Sequence, residues 1–226
     1  DGGIYNMSSS PSITNCTICG NSSSQAGGGI YNYYHSAPAV VSCTISNNAS
    51  AVYGGGVYNG MLCSTIISNC TIFNNRARFG GGLCNFHEAS PTIIYSTIAN
   101  NFSSSDGGGI YNDHLCSTIA ANCTISQNSA NRGGGIWNRY SSPSIIDCTI
   151  VGNSAAYDGG GIYNNLVSYP YPPPDAANCI LWTNSPETQV YNVGGILTIV
   201  SCVVQGGYAG GSNIITADPL LLPFGD

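Results

Sequence analysis

Short apolar runs of two or three residues, broken by Ser, Thr, Asn and Gly, recur along this chain at a fixed interval. The averaged unit reads SPSIxxCTIxxNSAxxGGGIYN. The last residue of the GGGIYN motif falls at Asn6, Asn32, Asn59, Asn85, Asn112, Asn138 and Asn164, in steps of 26 or 27. The CTI motif begins at Cys16, Cys43, Cys70, Ser96, Cys123 and Cys148, then loosens to CIL at Cys179 and CVV at Cys202. A period of this length marks a solenoid, in which each unit buries its apolar face only by stacking on the next. Three short β-prone runs separated by turn residues leave no room for an ordinary helix. The predicted fold is all-β: a right-handed parallel β-helix of about eight coils, roughly 26 residues and three short strands per coil, with neighbours about 4.8 Å apart.

Alternation assigns the faces. In CTI, Cys16 and Ile18 point inward and Thr17 outward; in GGGIYN, Ile30 points inward, Tyr31 outward, and Asn32 is expected to open the turn. Asn32 and its equivalents can bond one another from coil to coil, as can a second column at Asn21, Asn48, Asn75, Asn101, Asn128 and Asn153. Pro11, Pro38, Pro91 and Pro143 sit where a strand begins and no N–H is needed. The triple glycines are followed by a strand rather than a helix, so they are not a phosphate loop.

A single β-helix domain over 1–226 is expected, with regular coils at 1–165, a Tyr/Pro-rich loop at 166–178, and atypical terminal coils and a cap at 179–226. Tyr169, Tyr171 and the three prolines between them and Asp175 should project as a stiff loop. The opening DGGIYN enters the repeat in mid-unit, as in part of something longer.

Composition narrows the function. Charged residues are only 6% of the chain, lysine is absent, and ten acids against four arginines leave a net charge of −6. Four arginines spread from Arg76 to Arg139 do not make a basic face, which argues against nucleic acid. No apolar run is long enough for a membrane-spanning helix. Seven of the eleven cysteines fall in the CTI column, where they read as small buried residues rather than as disulfides or zinc ligands.

The unit NCTIxxNSAxxGGGIYN resembles the repeats of bacterial right-handed β-helix surface proteins, including the polymorphic outer-membrane proteins of chlamydiae. The stretch CILWTNS through QVYN, VVQGG and ADPLLLP is similar to terminal coils of exported bacterial proteins of the choice-of-anchor type. The resemblance implies the β-helix fold and an extracellular or cell-surface location in a prokaryote.

Many β-helices cleave polysaccharides, a chemistry that needs acids brought together from neighbouring coils. Asp106, Arg132 and Asp158 precede GGG on successive coils and read as an exposed ion-pair ladder. After GGGIYN, successive coils supply His87 and Glu88, Asp113 and His114, and Arg139, a polar cluster candidate. It lacks a fixed third metal ligand or a defined pair of catalytic carboxyls. No catalytic residue, metal or cofactor is assigned.

The outer columns offer surfaces. Tyr31, Tyr58, Tyr111, Trp137 and Tyr163 can stack on one another or present a contact face to glycans or another protein. A threonine column from Thr17 to Thr149 suggests ice binding, but its neighbours Phe73, Tyr95 and Asp147 are irregular. Asn15, Asn69 and Asn122 lie in outward NCT sequons and are glycosylation candidates. The expected function is a non-enzymatic exported structural or adhesive element that self-assembles into a fibre through its N-terminal coil. The alternatives are a carbohydrate-binding β-helix or a polysaccharide lyase or hydrolase, then an ice-binding protein.

Overall fold

The computed structural model describes residues 2–166 and 172–221. It is a parallel, right-handed β-helix of about seven turns. Three sheets hold eight strands each, and every rung pairs in parallel with the next. The first sheet carries the GGGIYN motif, beginning with Ile4–Met7 and Ile30–Tyr33. The second begins with Ser12–Thr14 and Ala39–Val41, and the third carries CTI from Thr17–Cys19 onward.

The inner lining is as alternation requires. Ile30, Ile45, Ile67, Ile72, Ile98, Ile125 and Ile150 are fully buried in one continuous core with Cys43, Cys70, Cys123, Cys148, Cys179 and Cys202, while Cys16 on the first rung is exposed. All eleven cysteines are free. A column cysteine donates its thiol to a backbone carbonyl two residues back, as Cys43 does to Val41 at 3.2 Å, and its sulfur accepts the amide of the preceding coil's cysteine.

A fourth sheet, absent from the three-strand expectation, has six strands, among them Ala49–Ser50, Arg76–Phe79, Phe102–Asp106, Ser129–Arg132 and Ser154–Asp158. Its strands are polar, short and interrupted by register shifts, so they carry no clear period-2 signal. Backbone pairing with the adjacent coils makes them strands.

Both asparagine columns form ladders. From Asn6 to Asn192 each side-chain amide donates to the next carbonyl oxygen at 2.7–2.9 Å, and Asn192 passes the chain to the Tyr208 hydroxyl. Asn32 does not open a turn: it lies inside its strand and is fully buried, and Thr65 and Thr118 bond this ladder from within. The second ladder does occupy a corner. Asn75 donates to Ile45 O and Asn101 Oδ1, while its own oxygen accepts the Asn48 amide and side chain. Gln189 receives the last member, Asn184.

Residues 175–177, expected within the loop, form a strand of the second sheet; Tyr169 and Tyr171 lie outside the described residues. After Val203–Val204 the chain crosses the last coil, bridging Val200 with Ser212 and Val203 with Ile215. Tyr208 and Ile214 pack on the core there. Among the described residues no helix is long and apolar enough to cross a membrane.

The repeat's second glycine is set by coil spacing. A Cβ on Gly55 would meet Arg76 O and Gly81 O at 2.5 Å, whereas Gly20, at φ +68°, faces open space. Gly55→Ala should therefore prevent soluble folding, while Gly20→Ala should cost about 1 kcal/mol from its left-handed backbone alone; expression and thermal melting test the contrast. Asn75→Ala leaves several buried partners unbonded and should cost about 3 kcal/mol, read as a lower urea midpoint.

Candidate functional site

The outward tyrosines are not an exposed face. Tyr58, Tyr111, Trp137 and Tyr163 are buried and Tyr31 is half-buried, in a second apolar cluster outside the first sheet. Period-2 alternation does send them away from the Cys/Ile core. The fourth sheet then brings Tyr53 and Phe79 over them, and Tyr33 and Phe86 close the other side. The rings stack from rung to rung: Tyr31 on Tyr58 at 5.2 Å, Tyr111 on Trp137 at 4.4 Å, Tyr163 on Tyr191 at 5.3 Å. Where Cys84 interrupts the column, Tyr53 stacks on Phe86 at 5.4 Å and Phe79 packs on Tyr111. Such pairs add about 0.5–1.5 kcal/mol each beyond area burial. As a contact surface Tyr58, Tyr111, Trp137 and Tyr163 are excluded by their cover, whereas half-buried Tyr31 lines an open recess with Tyr5.

The polar cluster forms at the C-terminal end of the first-sheet strands, where Phe86, Asp113 and Arg139 stand in register. Asp113 continues the outer aromatic layer and is fully buried. Arg139 grips it through Nε to Oδ1 at 2.9 Å and Nη2 to Oδ2 at 2.6 Å, and the Tyr111 hydroxyl donates to Oδ2 at 3.0 Å. These bonds hold the Arg139 pKa above its ordinary value, and burial raises that of Tyr111. The Arg139 guanidinium also lies over the Trp137 ring. Tyr111 was not identified as a partner of Asp113 from sequence, although its place two residues earlier on the same strand puts both on one face.

The neighbouring turn lifts the other members outward. His87, Glu88 and His114 adopt left-handed backbone, with His87 and Glu88 exposed. The two imidazoles lie 4.9 Å apart between centroids. His114 Nδ1 is 3.0 Å from Asp113 Oδ1 but off the hydrogen-bonding direction. With Leu115 and Tyr140, these three residues line a recess of about 270 Å³. The cluster therefore divides: buried Asp113 is capped by a partly exposed Arg139, and His87, Glu88 and His114 form a shallow outer wall. Among the described residues no three His, Cys, Asp or Glu side chains converge as metal ligands.

The Asp106, Arg132 and Asp158 ladder does not form. The three are in register, yet the ion pairs within 4.0 Å among the described residues all involve Asp113. Arg132 instead lies over Tyr157, and Asp106 accepts the Ser105 hydroxyl. Asn15, Asn69 and Asn122 are exposed at left-handed corners, unlike the ladder asparagines. The threonines are in register from Thr17 to Thr149, beside the mixed column Cys19, Ser46, Phe73, Ala99, Ser126 and Val151.

Stacked parallel rungs, a continuous inner core and ladder-filled corners define a parallel β-solenoid. The chain belongs to the right-handed β-helix family, whose description, right handed beta helix region, matches residues 2–193. No curated protein matches it.

Arg139→Leu should cost about 3 kcal/mol by stranding the buried Asp113 carboxylate, and Asp113→Leu with Arg139→Leu should recover much of the loss; denaturation of the single and double variants measures both. Burial raises the Asp106 pKa. That favours the protonated folded form, so its contribution is full below the ordinary carboxylate range and is lost as pH rises through the folded value. Asp106→Asn should raise the melting temperature at neutral pH and leave it unchanged in acid.

Proposed function

We propose that this protein is a non-enzymatic, exported structural or adhesive element of a prokaryotic cell surface, assembling with copies of itself. The observation that carries the reading is the commitment of its polar columns to architecture. Both asparagine ladders are internal, and the buried carboxylate of the polar cluster has its oxygens bonded to Arg139 and Tyr111. Glycosidic hydrolysis needs two carboxyl groups free to exchange protons or attack the sugar. Asp113 is sealed, and Glu88 is the carboxylate on the recess.

Exposed Ile66 and Ile119 on the second sheet favour lateral contact between copies. Exposed Asn15, Asn69 and Asn122 fit glycan attachment in a host that glycosylates exported proteins, and an intact mass equal to the polypeptide alone would remove that element. A carbohydrate-binding role is the second reading, favoured by the His87, Glu88, His114 and Tyr140 recess.

Incubation with acidic and neutral polysaccharides should release no reducing ends, and electron microscopy of concentrated protein should show fibres or lateral arrays. Isolated rods of about 40 Å, the height of eight rungs, would count against assembly. Reducing-end release that is lost in a folded Asp113→Ala variant would replace this reading with the enzymatic one.

A further inference from the structure

The chain's few cations are not scattered in space. Arg76, Arg78 and Arg132 all project from the fourth sheet, and Arg76 and Arg78 flank buried Ala77 on one strand. Alternation points both guanidiniums outward, about 6.8 Å apart at their Cα atoms. The preceding rungs carry only small side chains, Ser22, Ser23, Ala49 and Ala51, so the two arginines form the wall of an open shelf of about 360 Å³. Arg76 lies over the Phe102 ring at 4.8 Å and Arg78 over Phe79 at 5.1 Å. Face stacking steadies a guanidinium while leaving its N–H edge available. Among the described residues neither has a carboxylate within 4.0 Å.

We infer that this shelf binds a polyanionic glycan, a sulfated or carboxylated polysaccharide chain, without cleaving it. Two guanidiniums in line can fork successive anionic groups on one extended chain. The serine-bearing floor suits sugar hydroxyls. Screening confines electrostatics to about 8–10 Å at physiological salt, so a ligand on the shelf meets these arginines rather than the net charge of −6. The inference specifies a partner for the adhesive reading and rests on it.

Titration calorimetry of the whole chain with dextran sulfate, polygalacturonate and neutral dextran tests the site. Saturable binding of one or both anionic polymers, weakened by salt, is expected, and the arms distinguish sulfate from carboxylate recognition. Arg76→Gln with Arg78→Gln should weaken it at least about tenfold without lowering the melting temperature, since both side chains are exposed. Ala49→Glu, which places a carboxylate on the floor, should do the same with both arginines intact. The inference is overturned if the parent binds neither anionic polymer, if neutral dextran binds equally, if a single-stranded oligonucleotide binds more tightly, or if the variants bind like the parent. Self-assembly that persists without anion binding would overturn this site alone; loss of assembly with binding retained would count against the structural reading alone.

Discussion

The fold depends on satisfying backbone and amide hydrogen bonds in register between coils. A strand of three residues has almost no stability alone, and a coil of such strands has no core until another coil covers it. Parallel pairing at every rung fixes the spacing, and the two asparagine ladders lock the register. At Asn75 one amide serves the backbone carbonyl of one coil and the side chain of the next, while its oxygen takes a backbone N–H that the corner would otherwise bury unpaired. A slip by one residue would break every such bond and turn the inner isoleucines outward.

From that register follow two apolar layers rather than one. The inner layer of Ile, Val and Cys fills the coil, and the outer layer of Tyr, Trp and Phe is trapped between the first sheet and its flanking segments. Rings repeated at rung spacing must stack, so the aromatic column stabilises the sheet instead of facing a ligand. Asp113 is buried because it occupies the rung position held by Phe86 one coil earlier, and Arg139 and Tyr111 compensate a charge that would otherwise be expelled.

Departures from the repeat are where recognition chemistry can reside. Regular columns are occupied by neighbours of their own kind; Arg76 and Arg78 stand instead in columns of small residues and phenylalanine or serine. The fourth sheet sets Arg76 and Arg78 side by side on its outer face, so a chain poor in cations still presents a local pair of guanidiniums. Long inter-coil ladders with a few aperiodic side chains suit a rigid scaffold that displays contacts, the reading favoured for this protein.

The sequence by itself determined the repeat, the parallel β-helix, the inward Cys/Ile columns and the asparagine stacks, because each is a periodic property that neighbouring coils share. It also brought Asp113, His114 and Arg139 onto adjacent rungs by counting alone. Tertiary structure decided what lay over what. Ser22, Ala49 and Ser129 show no alternation, so the fourth sheet was legible only from its pairing, and with it the cover that Tyr53 and Phe79 give to Tyr58 and Tyr111. In that same sheet Arg132 turns onto Tyr157 rather than onto the carboxylates in register with it, and Arg76 and Arg78 stand together above a floor of small residues. Outward direction is local, governed by strand alternation; exposure is not, because it depends on which distant segment packs against that face.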